Sequence, residues 1–218
     1  MEAEFWTEMW QRGRIPFHEG CPNRALVRHF ERLGSAPGDE VLVPLCGKAL
    51  DMAWLLERGR RVLGVELSPI AVEAFFAEHG IASSRERAGA FERHHGGGAT
   101  LLCGDLFDLR PEDLAGVGAV YDRAALVALP AERRRRYVEH LIGALPEGVP
   151  WLLVTLEYPP GELQGPPFSV DEREVRALFA GHRLVERLDS EDILERSPGL
   201  AERGARALLE HTFLIGAA

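Results

Sequence analysis

A chain of 218 residues with 46% hydrophobic side chains can bury one sizeable core, so we expect a single domain over residues 1–218. Its formal net charge of -9 disfavours a nucleic-acid partner, which would be bound by Lys and Arg neutralising phosphates, and favours a small-molecule ligand. The acidic start Met1-Glu2-Ala3-Glu4 is unlike a targeting signal, and no apolar run approaches the ~20 residues of a membrane span, so we expect a cytoplasmic monomer without membrane contact.

The three cysteines, Cys21, Cys46 and Cys103, are odd in number and lack C-x-x-C spacing, which points to buried thiols rather than a disulfide framework or a zinc site. The histidines show no metal-ligand spacing either, so no metal is expected.

In chain order, the aromatic leader Phe5-Trp6-Thr7-Glu8-Met9-Trp10 reads as a short helix that breaks at Gly13 and Pro16, followed by a loop carrying Phe17 and His18. Asn23 can cap a helix over residues 24–33, where Leu26, Val27, Phe30 and Leu33 fall at helical spacing and Gly34 stops it. The run Val41-Leu42-Val43 then suits a strand buried on both faces of a parallel sheet. A helix over 49–58 ends at Gly59, a second strand covers 62–66, and Ser68 and Gly80 bracket a helix over 69–79.

Further strands are expected at 100–103 and 117–121, with a helix at 131–145 before a strand at 151–156. In that helix Arg133-Arg134-Arg135-Arg136, flanked by Glu132 and Glu139, reads as a solvated face. His94-His95, beside three glycines, reads as a solvated loop. A helix over 170–180 precedes two neighbouring strands, 184–188 and 211–215. Alternation without a linker gives an α/β, doubly wound sheet whose ligand crevice lies at the carboxyl ends of its strands.

In such a sheet the loop after the first strand and an acid ending the second form a ribose-binding pair; here these are residues 44–48 and Glu66, with Gly47 nineteen positions before the acid. A pyrophosphate would need several glycines at that turn, and there is one, with Leu45 and Cys46 in the way, which disfavours a nicotinamide oxidoreductase. The P-loop pattern also fails, because Ala49 replaces its Ser or Thr and Leu42 its first Gly. An adenosine ligand without phosphate fits best, and S-adenosylmethionine is the common one. Asp105 and Leu106 follow the third strand, where adenine could be gripped, and Arg123 follows the fourth, suited to a carboxylate.

These residues resemble a family. Val43-Pro44-Leu45-Cys46-Gly47-Lys48, Gly64-Val65-Glu66-Leu67-Ser68, Asp122-Arg123-Ala124-Ala125-Leu126 and Gly165-Pro166-Pro167-Phe168-Ser169-Val170, with the aromatic leader, look like the bacterial branch of the thiopurine S-methyltransferases, as far as about Phe179. The resemblance implies a seven-stranded, mostly parallel, Rossmann-like class I methyltransferase sheet with a reversed final strand. It also implies methyl transfer from S-adenosylmethionine to an aromatic or heterocyclic thiol. The family's cofactor contacts carry over onto Trp10, Leu45, Glu66 and Arg123, and further onto Phe17, Asp105 and Leu106. Residues 1–20 would form an aromatic N-terminal lid. No covalent intermediate is needed, so no catalytic nucleophile is expected. Other acceptors (halide, thiocyanate, selenium or tellurium species) or cofactor binding without catalysis remain alternatives, and neither Arg196 nor Arg203 is assigned to the acceptor side.

Overall fold

The computed structural model describes residues 3–13 and 19–217. In chain order it comprises helix α1 (Ala3–Gln11), α2 (Arg24–His29), strand β1 (Glu40–Pro44), α3 (Leu50–Glu57), β2 (Arg61–Glu66), α4 (Pro69–Glu78), β3 (Ser84–Ala88), β4 (Phe91–Gly96) and β5 (Ala99–Cys103). There follow α5 (Pro111–Leu114), β6 (Val117–Arg123), α6 (Ala131–Ala144), β7 (Trp151–Glu157), α7 (Glu172–Phe179), β8 (Arg183–Asp192), α8 (Pro198–Glu202) and β9 (Leu209–Ala217). Asn23 caps α2 as expected, its side chain accepting from the Ala25 N–H at 2.8 Å.

All strands join one sheet in the order β3-β4-β5-β2-β1-β6-β7-β9-β8. The five from β5 to β7 are parallel, whereas β9 runs antiparallel to β7 and to β8. β5-β2-β1-β6-β7-β9-β8 is the expected seven-stranded sheet with its reversed final strand. Among the described residues the count is nine, because the hairpin β3–β4 extends the edge beyond β5.

That hairpin escaped sequence reading because Ser84–Ala88 is charged and largely exposed, with no apolar alternation to mark it. Charge on an edge strand discourages pairing with another chain. His94 therefore sits on a strand rather than in a solvated loop; it is buried, with Nε2 2.8 Å from Glu92.

The sheet buries both faces. Val41 and Val43 of β1 enter one core with Met52, Phe75 and Leu101, while Leu42 enters the other with Leu63, Tyr137 and Leu153. Alternate residues of one apolar run thus serve two cores, as covered parallel strands require.

Two further expectations need correction. Cys21 is exposed, whereas Cys46 is buried and Cys103 half-buried. Of the four consecutive arginines, Arg134 is buried, because it lies on the same helical face as Tyr137, Val138 and Leu141. Its guanidinium grips both carboxylate oxygens of Glu174 at 2.7 and 2.8 Å, and it also donates to the Leu129 carbonyl at 2.8 Å. Among the described residues no helix is long and apolar enough to cross a membrane.

Packing around β2 is tight enough to test. A Cβ on Gly64 would lie 2.3 Å from Leu101 Cδ2 and 2.7 Å from Cys46 Sγ, so Gly64→Ala should cost roughly 1–3 kcal/mol of stability. Urea unfolding of the variant measures this; an unchanged midpoint would contradict the packing described.

Candidate active site

β1 lies between β2 and β6, so the winding of the chain reverses there, and the carboxyl ends of these strands frame a crevice. On leaving β1, Leu45 takes a positive φ of 47°, which aims the following amides at β2. The Cys46 N–H donates to the Val65 carbonyl at 3.0 Å, and the Gly47 N–H to Glu66 Oε2 at 2.9 Å. Glu66 Oε1 accepts from the Ser68 N–H at 2.8 Å, and the Glu66 carbonyl from the Gly104 N–H beyond β5 at 3.0 Å.

Burial pushes the Glu66 carboxyl above its ordinary pKa, while the amides of Ser68 and Gly47 oppose that rise by stabilising the anion. Each carboxylate oxygen has accepted one such bond, leaving a lone pair for a hydroxyl donor. A vicinal diol matches this pair of acceptors.

The buried Trp10, near the end of α1, covers this loop. A Cβ on Gly47, whose φ is 53°, would lie 3.1 Å from Trp10 Cζ2. A larger residue there would need both a strained backbone and a displaced indole. α1 also packs against α4, whose Glu78 pairs with Lys48 of the same loop.

Asp105 is exposed beyond β5, its Oδ1 accepting the Phe107 N–H at 2.9 Å, whereas the Leu106 side chain belongs to the core. Phe17 lies outside the described residues.

Arg123 ends β6, on the same face as Tyr121. Its largely buried guanidinium is ion-paired with Glu19. Burial lowers its pKa, but Glu19 and Asp51 outweigh that and hold it above the usual arginine value. Beside it, Asp51 accepts from the Asn23 N–H at 2.7 Å and the Tyr121 hydroxyl at 3.0 Å, and Asn23 Nδ2 donates to Glu210 Oε2 at 3.2 Å. Sequence reading found Arg123 but missed Glu19, Asp51 and Glu210, which only the fold brings to it. Asn23 was legible as a helix cap and not as a link in this network.

Across the sheet, the segment after β7 docks on the segment after β6. The Phe168 N–H donates to the Val127 carbonyl at 2.7 Å, and within the segment after β7 the Tyr158 hydroxyl donates to the Pro167 carbonyl at 2.8 Å. Arg134 holds them together, reaching Leu129 on one and the Ser169 carbonyl, at 3.3 Å, on the other. Arg196 pairs with Glu191 at 2.7 Å, away from this staple, whereas Arg203 is near enough to lower the Tyr158 pKa, which burial raises.

The sequence matches the family model described as thiopurine S-methyltransferase over residues 1–217. A thiopurine S-methyltransferase of Pseudomonas putida is 48% identical over 215 residues, 99% of each chain. The chain belongs to the thiopurine S-methyltransferase family. It is accordingly an enzyme, a methyltransferase that uses S-adenosylmethionine.

Among solved structures, a Burkholderia thailandensis 1,6-didemethyltoxoflavin-N1-methyltransferase with bound S-adenosylhomocysteine superposes with a TM-score of 0.64 at 17% identity, over 99% of this chain and 87% of that one. A chain described for conversion of a disulfide bond into a thioacetal group during echinomycin biosynthesis gives a TM-score of 0.67 at 18% identity, covering 99% and 92%. These two share the fold. The family match reaches residue 217, well past the point near Phe179 where the recognisable segments fade.

In this methyltransferase Arg123 is followed by positive-φ Ala124 and preceded by a buried acid. Burial pushes the Asp122 carboxyl up to about 6, against hydrogen bonds from the Tyr137 hydroxyl at 2.7 Å and the Leu126 N–H at 3.2 Å. Between about pH 4 and 6 the folded protein keeps a proton on Asp122 that the unfolded chain has released, so this group's stabilisation is lost as pH rises. The difference in unfolding free energy between the natural protein and Asp122→Asn should shift against the natural protein by ~3 kcal/mol across that window. Denaturant unfolding of both proteins at several pH values measures the slope; parallel curves would show that Asp122 titrates normally.

Proposed function

We propose that this methyltransferase methylates the sulfur of aromatic or heterocyclic thiols, thiopurines among them. The observation that carries the reading is the end-to-end match, at 48% identity, to a relative named for that activity. The crevice supports it, because the acceptors and cation a methionine-linked nucleoside needs converge on the ends of β1, β2 and β6.

In this reading Glu66 takes the ribose hydroxyls. Leu45 and Trp10 flank the cofactor on the Gly47 loop, Asp105 and Leu106 border adenine, and Arg123 takes the methionine carboxylate. Phe17 is included in the same role. S-adenosylmethionine, when bound, supplies an electrophilic methyl group on a sulfonium. The residues of the chain then bind, orient and exclude water, while the acceptor sulfur attacks in line.

Aromatic thiols ionise more readily than a cysteine thiol, so a positioned thiolate needs no strong base from the enzyme. Burial pushes Cys46 well up and Cys103 up to about 11, which keeps both protonated and out of the chemistry. Asp51, Glu66 and Glu210 give the crevice an acidic surround suited to a sulfonium cation. α1, carrying Trp6 and Trp10, acts as a lid over the cofactor. We further propose one cytoplasmic domain that works as a monomer on a small molecule rather than on nucleic acid, consistent with its net charge of -9.

Mass-spectrometric detection of methylated product from thiopurines, thiophenols, halides and selenium or tellurium oxyanions tests the acceptor. Product from the thiols is expected; transfer to no thiol would overturn the assignment. For the cofactor side, Glu66→Gln places an amide NH2 against one of two backbone N–H donors, so S-adenosylmethionine affinity should fall by about ten-fold or more in calorimetry. Trp10→Ala should weaken it as well, and unchanged affinity would remove the lid from the mechanism.

A further inference from the structure

Glu19 is the residue whose position the proposed cofactor site does not explain. It lies between α1 and α2, and its carboxylate is ion-paired with the guanidinium assigned above to the methionine carboxylate. One functional group thus stands where the same functional group of the ligand is to bind. An arginine fork offers its paired donors to one carboxylate at a time in the bidentate geometry.

Two other acids, Asp51 and Glu210, bear electrostatically on Arg123. A fourth carboxylate entering this group meets repulsion unless one of the three withdraws. Asp51 is buried and fixed by the Asn23 N–H and the Tyr121 hydroxyl, and Glu210 is tied to Asn23. Glu19 is 40% exposed at its side chain, so it can swing into water at the least cost.

We propose that Glu19 is an internal surrogate for the cofactor's carboxylate: it occupies Arg123 between turnovers, yields it when S-adenosylmethionine binds, and retakes it as S-adenosylhomocysteine leaves. The proposal rests on the assignment of Arg123 to the carboxylate. Its consequence is that Glu19 weakens substrate and product alike and so speeds product release. Without Glu19 the site is better filled and slower to empty.

Calorimetry with S-adenosylmethionine and S-adenosylhomocysteine on the full chain tests this, with circular dichroism confirming that each variant is folded. Glu19→Gln keeps the size and removes the charge; it should tighten both ligands by about two- to five-fold, the range of a partly exposed ion pair. It should also lower the inhibition constant of S-adenosylhomocysteine to a similar degree. Unchanged or weaker binding by a folded Glu19→Gln would overturn the proposal and leave the assignment of Arg123 standing. Arg123→Gln should weaken both ligands at least ten-fold, and in that background Glu19→Gln should have no further effect. If Arg123→Gln binds normally, the assignment of Arg123 fails and the surrogate role with it. If the tightening by Glu19→Gln persists without Arg123, the contact between the two is not its cause and the proposal falls alone.

Discussion

Glu66 fastens three strand ends together, two through its carboxylate and one through its backbone carbonyl. Its two oxygens take the Gly47 and Ser68 amides and its carbonyl takes the Gly104 amide, so the turns after β1, β2 and β5 share one residue. Hydrogen bonds from backbone N–H groups to an ionised carboxylate are stronger than neutral ones, and here they offset part of the cost of burying the charge. The crevice floor is thereby set before any ligand arrives. Leu45, Gly47 and Trp10 take their places relative to that one carboxylate, which explains why an acid rather than an amide ends β2.

Arginines organise the two other parts of the same edge. Arg123 gathers the acids of the entering chain, α3 and β9, and the network through Asn23, Asp51 and Tyr121 ties the start of α2 to the sheet beneath it. Arg134 works on the opposite face, joining the segment after β6 to the segment after β7 through Leu129, Ser169 and Glu174. At Arg134 a planar cation with several donors holds segments that have no regular backbone pairing with one another. The Glu66 side of the crevice is built from backbone amides, and its far side is held by guanidinium groups.

How much of this was legible follows from the range of the interactions. The buried parallel strands and their helices announce themselves by local periodicity, and the Glu66 pair by its spacing from Gly47. The charged hairpin Ser84–Ala88 and Phe91–Gly96 carries no such pattern, since one edge of it faces water. Arg134 was hidden among identical neighbours, yet its spacing of three and four residues from Tyr137 and Val138 marks it as inward-facing, a signal that charge type obscured. Glu210 comes near Arg123 only through sheet order, with β9 inserted between β7 and β8, and Glu19 reaches it from the segment between α1 and α2; no local feature of either residue foretells it.

Backbone strain falls where these long-range contacts converge. Leu45 and Ala124, with φ of 47° and 64°, are the non-glycine residues with positive φ among those described, and each stands one place beyond the end of β1 or β6. Such conformations cost of order 1–3 kcal/mol apiece and persist only where the surroundings enforce them. At Leu45 the enforcement comes from the Cys46 and Gly47 amides bonded to β2; at Ala124 it comes from the Leu126 amide bonded back to Asp122. Straight continuation of either strand would break those bonds and carry the chain across the crevice mouth. The two sharp turns keep the edge open at the switch point, and the buried acids Glu66 and Asp122 hold them sharp.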